Sequence, residues 1–318
     1  MPMRFCARAV LAARRIRILS ALGGVAALGA IALPALTPAT AATTATASAA
    51  LPSASPPAPP AVPAMSAAGQ FVARPQIAPP GSGLTQACAT PTRPGQMACM
   101  ALISPRARRA GPDATPNGYN PQDLQAAYGL TTAATKPGNG ELIAVVDAFN
   151  DPNAASDLAQ YRSQFGLPAC TIASGCLSIQ NEFGGTKLPA NDSSGGWELE
   201  ESLDLDMVSA TCPNCQIVLL EADSAEVSDL SIAERTASRI PGVDAVTNSW
   251  GSGAEFIGEN QFDPDFYAPG VAITAAGGDG GYGTQYPAAS PYVTAVGGTT
   301  LVGSGASWSQ TEIGRAHV

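Results

Sequence analysis

The segment GGWELEESLDLDMV, residues 195–208, sets Glu198, Glu200, Glu201, Asp204 and Asp206 within nine positions. Leu199, Leu203 and Met207 recur every fourth residue there, so the pattern predicts an amphipathic helix over 195–210. Glu200 and Asp204 stand at i and i+4, one turn apart on a neighbouring face. Like charges at that spacing destabilise an exposed helix by about 0.2–0.5 kcal/mol, and a buried one by more. Acids in a first turn favour the helix dipole, which accounts for Glu198 and Glu201 but poorly for Asp204 and Asp206 further along. Two carboxylates held close share a proton, and one of them keeps a raised pKa. Such a pair can serve as a base in acid with little help from histidine. The sequence has one histidine, His317, so a Ser-His-Asp triad is nearly excluded among these residues. Any nucleophilic catalysis here calls for a carboxylate base.

A second candidate is Gly277-Gly278-Asp279-Gly280-Gly281, which follows the apolar run VAITAA. Glycines at a strand end let another backbone or a substrate come close. An acid among them is a candidate ligand or catalytic group, although alone it reads more simply as a turn in which Asp caps backbone amides. Cys212-Pro213-Asn214-Cys215 has redox-motif spacing but lies between a helix and the strand QIVLLEA. A catalytic pair would open a helix in a thioredoxin-like unit, so a structural bridge is the better reading. Zinc is disfavoured because no second ligand pair or histidine cluster accompanies it.

The elements that must position these groups alternate. GYNPQDLQAAYGL, 118–130, carries the helix-start residues Pro121 and Asp123. ELIAVVDAF, 141–149, is a short apolar run suited to a fully buried strand. DPNAASDLAQYRSQFG reads as a helix, QIVLLEA (216–222) as a strand, SDLSIAERTASRI as a helix and DAVTNSWG (244–251) as a strand. GVAITAAGGDGG (270–281) and SPYVTAVGGTTL (290–301) are further strand-and-glycine units. Strands alternating with helices predict a three-layer α/β/α domain on a parallel sheet.

The ends read differently. Arg14, Arg15 and Arg17 precede an apolar run from Ile18 to Leu36, and Ala39-Thr40-Ala41 offers a small-residue cleavage site. That order predicts a secretory signal peptide over 1–41, with a membrane anchor as the competing reading. Residues 42–112 read as an Ala/Pro-rich disordered linker or short prosegment, irregular from 84 onward, with PRARR at 105–109 as a processing site or a solvated stretch. The whole chain carries 16 basic and 25 acidic residues. Without residues 1–41 it keeps 11 basic against 25 acidic residues, a net charge of −14. That balance argues against nucleic acid and anionic membrane partners. Six cysteines remain after the signal, in local pairs Cys88/Cys99, Cys170/Cys176 and Cys212/Cys215, an even number that suits an oxidising compartment. Neighbour pairing is the simplest of fifteen connectivities.

Taken in order, GYNPQDLQAAYGL, IAVVDAFNDPNAASDL, the Glu-x-x-x-Asp helix ending ATCPNC, VTNSWG, GGDGGYGTQYPAASPYVTAVGGTTL and WSQT resemble the sedolisin (serine-carboxyl peptidase) family, relatives of subtilisin. The resemblance covers about 118–311. It implies a subtilisin-like sheet, Glu200 as general base, Asp204 as its hydrogen-bonding partner and Asp279 as a protonated oxyanion-hole donor. It implies too that Ser249-Trp250-Gly251 bind substrate backbone by β-augmentation. Asp147 stands where subtilisins carry a catalytic Asp, but Ala148-Phe149 and the lack of a following histidine make it structural in this reading. The family's nucleophile lies in a late Gly-Thr-Ser-x-x-x-Pro segment, which this sequence does not contain, and its calcium site is built later still. The sequence therefore predicts a partial peptidase domain over 113–311, incomplete at its C-terminus and inactive as it stands. EIGRAHV, 312–318, is the translation expected of a sequencing adapter, and is read as an artefactual tail. The full-length relative is expected to be a secreted, monomeric endopeptidase acting on polypeptides in acid, with calcium. The alternative is a non-catalytic secreted binding protein on the same fold.

Overall fold

The computed structural model describes residues 83–105, 118–136, 141–278, 283–305 and 307–312. The chain divides into Met1–Pro63 and Ala64–Val318, and every described residue lies in the second unit. The expected signal peptide, the PRARR arginines, Asp279 and residues 313–318 fall outside the described residues.

In chain order, β1 (Thr85–Gln86), β2 (Ala98–Cys99) and β3 (Leu102–Ile103) precede α1 (Pro121–Ala127) and the single turn α2 (Thr131–Ala134). The remaining order is β4 (Leu142–Ala148), α3 (Ala154–Gln164), β5 (Leu177–Asn181), α4 (Gly196–Thr211), β6 (Gln216–Ala222), α5 (Val227–Ala237), β7 (Val243–Asn248) and β8 (Trp250–Gly251). A 3-10 helix, Glu259–Phe266, leads to β9 (Ala272–Ala276), β10 (Thr294–Val296), β11 (Thr299–Ser304) and β12 (Ser307–Glu312). At α1 the expected start signal is realised as a capping box. Asn120 accepts from the Asp123 amide at 2.9 Å and Asp123 accepts from the Asn120 amide at 3.1 Å.

Six strands form one parallel sheet in the order β10-β9-β7-β4-β6-β5. Its central strand β4 is covered on both faces, which is why it reads as an unbroken apolar run. Val145, Ile217 and Leu219 pack with Ala154 and Leu158 of α3 and Leu205 of α4. Ala144, Val146, Val218 and Leu220 face the other way, onto Leu230, Ala233 and Ala237 of α5, with Trp250 and Phe266. The expected three-layer α/β/α arrangement is what forms.

Two regions depart from expectation. The stretch 290–301, read as one strand unit, splits into β10, at the sheet edge, and β11, which pairs antiparallel with β12. Residues 83–105, read as irregular linker, make a strap. β1 pairs antiparallel with β3, β2 pairs antiparallel with β8, and Met97, Ala98, Cys99 and Ala101 are buried. Two-residue strands leave no period to read, and their burial comes from the surface they cover. The bridges Cys88–Cys99, Cys170–Cys176 and Cys212–Cys215 are the neighbour pairs.

Candidate active site

Helix α4 turns its acids inward. Trp197, Glu200, Glu201, Asp204 and Leu205 are buried, whereas Leu199 and Leu203 are 40% and 39% exposed. The predicted amphipathic face is therefore inverted. Trp197 and Leu205, two turns apart, anchor the helix to the core, and Glu200, Glu201 and Asp204 lie between them on that same face. The helix start approaches the strap closely. A Cβ at Gly196 would stand 2.6 Å from the carbonyl oxygen of Ala87, so only glycine fits.

The sheet adds more acid from below. Strand alternation puts Asp147 on the same side as Val145, and Glu221 on the same side as Leu219, which is the α4 side. The parallel register sets Asp147 beside Glu221. Asp147 is fully buried, and neither carboxylate oxygen has a hydrogen-bond partner among the described residues. Burial, then the charges of Asp204, Glu200, Glu201 and Glu221, hold its pKa well above the ordinary carboxylate range. Burial pushes Glu201 up to about 10, helped by Glu221, and pushes Glu221 up to about 8.

Asp204 has one firm partner. The hydroxyl of Ser249 donates to its Oδ1 at 2.8 Å. Burial raises Asp204 to about 7, and the Ser249 hydrogen bond pulls the other way. The end of β7 is fixed from both sides. The side-chain amide of Asn248 donates to Glu234 Oε2 at 2.8 Å and to the Thr274 carbonyl at 3.1 Å. Trp250 is fully buried in the core, and its indole donates to the Val146 carbonyl at 3.0 Å. What Ser249-Trp250-Gly251 present to a neighbouring chain is therefore backbone.

That backbone is occupied by the strap. The Met100 amide donates to the Ser249 carbonyl at 3.0 Å, and the Ala101 amide donates to Glu200 Oε2 at 2.5 Å. A cleft of about 250 Å3 opens between Met100, Ser249, Thr274, Ala276, Gly278 and Val296. The structure thus brings Glu200, Asp204 and Ser249 to one place. Asp279 is outside the described residues, and Gly278 before it lines the cleft. Reading the sequence missed Asp147 as a member of the cluster. It stands next to the end of β4 in phase with Val145, but that parity does not by itself say that α4 covers the face. Met100 and Ala101 carried no such signal. Among the described residues no group of three or more His, Cys, Asp or Glu is placed to hold a metal ion. They do not fit the calcium that the resemblance implies. Nor is any helix there long and apolar enough to cross a membrane.

No family model matches the chain. Kumamolisin of Bacillus sp. (strain MN-32) is 31% identical over 209 residues, 60% of this chain and 36% of the relative. The chain thus spans little more than a third of that relative's length. Among solved structures, a Pseudomonas sedolisin (serine-carboxyl proteinase) complexed with two molecules of pseudo-iodotyrostatin aligns with a TM-score of 0.49 at 23% identity. That alignment covers 61% of this chain and 57% of the other. Fervidolysin from Fervidobacterium pennivorans, a keratinolytic enzyme related to subtilisin, aligns with a TM-score of 0.36 at 18% identity, over 61% and 30% of the two chains. Over those 209 residues, 60% of its length, this chain is similar to kumamolisin.

Proposed function

We propose that residues 113–311 are the carboxylate-bearing portion of a secreted serine-carboxyl endopeptidase that hydrolyses polypeptides in acid. The observation that carries this reading is the buried Glu200/Asp204 turn of α4, with Asp204 held by Ser249 beside an open cleft. In this reading a serine hydroxyl attacks the substrate carbonyl and Glu200 accepts its proton. Asp204 orients Glu200, and Ser249 fixes Asp204. A neutral Asp279 donates to the oxyanion, which acid or a raised pKa permits. The proton taken by Glu200 then passes to the departing amine. The three disulfides and the kinship to kumamolisin support an extracellular setting.

The 318 residues contain no Gly-Thr-Ser-x-x-x-Pro segment, so a polypeptide of this sequence alone is expected not to hydrolyse casein at pH 4. Sequencing genomic DNA across the Thr311 codon tests the reading. The peptidase proposal predicts that the frame runs on to a Gly-Thr-Ser-x-x-x-Pro segment. A native EIGRAHV followed by a stop, with no such segment, favours instead a non-catalytic secreted binding protein.

A further inference from the structure

Resting on the peptidase reading, we propose that Glu234 is a positioning residue that acts as a neutral acid: it pairs with Asn248 through two hydrogen bonds, and the pair holds Ser249 on Asp204 from the far side of the sheet. Glu234 of α5 and Asn248, the last residue of β7, are 0% and 1% exposed. The Asn248 side-chain nitrogen donates to Glu234 Oε2 at 2.8 Å and to the Thr274 carbonyl at 3.1 Å. Both partners are acceptors, so the nitrogen must face them and Oδ1 must turn the other way. Asn248 Oδ1 and Glu234 Oε1 are the atoms left over. Each is buried, and neither has a hydrogen-bond partner among the described residues. One proton on Glu234 Oε1 supplies the donor that Asn248 Oδ1 lacks. Carboxyl and carboxamide then exchange two hydrogen bonds in one ring, and no buried oxygen of either is left unpaired.

Among the described residues, the charges around α5 are committed elsewhere. Arg235, next along the helix, meets Asp265 at 2.9 Å. On the 3-10 helix packed against α5, Glu259 accepts from the Phe256 amide at 2.8 Å and Asp263 accepts from the Tyr286 hydroxyl at 3.3 Å. On the strands beneath, Asp147 of β4 and Glu221 of β6 lie on the α4 side, and Asp244 of β7 accepts from the Leu142 amide at 2.9 Å. Glu182, whose carbonyl accepts from the Thr236 hydroxyl of α5, has its carboxylate on the Asp223 amide at 2.8 Å. Burial pushes Glu234 up to about 8, and the Asn248 hydrogen bond pulls the other way. In acid the carboxyl is therefore neutral and the ring is closed. Ser249 depends on that ring because it stands just past the ladder. β7 pairs with β4 and β9 only as far as Asn248. The direction Ser249 takes is set by the anchors on either side of it, the Trp250 indole on the Val146 carbonyl and the Asn248 amide on Glu234. Successive strand residues face opposite sides, which turns Asn248 to α5 and Ser249 to Asp204.

Carbon-13 carboxyl spectra of the 318-residue chain are the first measurement. Glu234 should still be a neutral acid at pH 6, and ionisation near the ordinary 4.5 would overturn the proposal. Glu234→Gln gives the second, because its amide can make the same two bonds without titrating. The Asn248 side-chain amide signals should move between pH 6 and pH 9 in the unsubstituted chain and stay still in Glu234→Gln. Equal movement in both would refute the pairing. Glu234→Leu takes the partner away, so the Asp204 pKa should rise by about one unit, while Glu234→Gln leaves it unchanged. An Asp204 titration untouched by Glu234→Leu would overturn the positioning role, since a residue that only fills space does not reach Asp204. If Glu234→Leu does not fold, the shorter acid of Glu234→Asp, which cannot span both bonds, is read in the same way. None of these readouts needs catalysis. A closed pair in a complete chain that hydrolyses no peptide would sink the peptidase reading only. Hydrolysis by a complete chain whose Glu234 ionises near 4.5 would sink the pair only.

Discussion

At the scale of residues, the site is a contest between burial and hydrogen bonding. Asp204 sits at about 7 because burial disfavours its charge, while the Ser249 hydroxyl favours it. Ser249→Ala removes the opposing influence, so the Asp204 pKa should rise above 7, by about one unit. Carbon-13 carboxyl titration would show this, and an unchanged or lower value would contradict the assignment of Ser249 as the group that positions Asp204. Glu200 and Asp204 could be picked out of the sequence because two acids at i, i+4 repel each other, and Asp204, beyond the first turn, gains little from the helix dipole. In a chain with one histidine, a shared proton is the chemistry that such a pair offers. Asp147 could not be picked out, because a lone acid near the end of an apolar strand looks the same whether it caps the strand or faces a partner. Only the packing of α4 over β4 tells the two apart.

Among the elements, α4 is where pattern and packing disagree. Every-fourth leucines gave a helix with correct bounds to within a residue, but the wrong face. The buried side is set by Trp197 and Leu205, and the acids come in with them. Leu205→Ala should therefore destabilise the fold by about 2–5 kcal/mol. Leu199→Gln and Leu203→Gln should each stay within about 0.5 kcal/mol. Urea unfolding of the three variants would check both limbs, and a large loss at Leu199 or Leu203 would restore the face predicted from the sequence. Gly196→Ala should clash with the Ala87 carbonyl, destabilise by about 1–3 kcal/mol and loosen the strap. The alternating strands and helices were legible because each is long enough to show a period. The strap was not, because short strands get their form from the surface beneath them.

For the whole molecule, the buried acids make a statement about pH. Burial lifts Glu201 to about 10, Asp206, Glu221 and Glu234 to about 8, and Asp204 and Glu259 to about 7, from ordinary values of 3.8 to 4.5. Between roughly pH 4.5 and 8 the folded chain holds protons that the unfolded chain has released. The stabilisation is complete below the unfolded values and is lost as pH climbs through the folded ones. The melting temperature should therefore drop by roughly 10 °C from pH 4.5 to pH 8, a trend that thermal melts would reveal. An acid-tolerant fold suits the proposed acid-working site, but that proposal has a more direct test. Casein hydrolysis at pH 4 should be measured for a chain whose frame continues through the Gly-Thr-Ser-x-x-x-Pro segment, with Glu200→Gln and Asp204→Asn alongside. The account predicts activity in the parent and a loss of at least roughly 100-fold in both variants. Full activity in Glu200→Gln would contradict it.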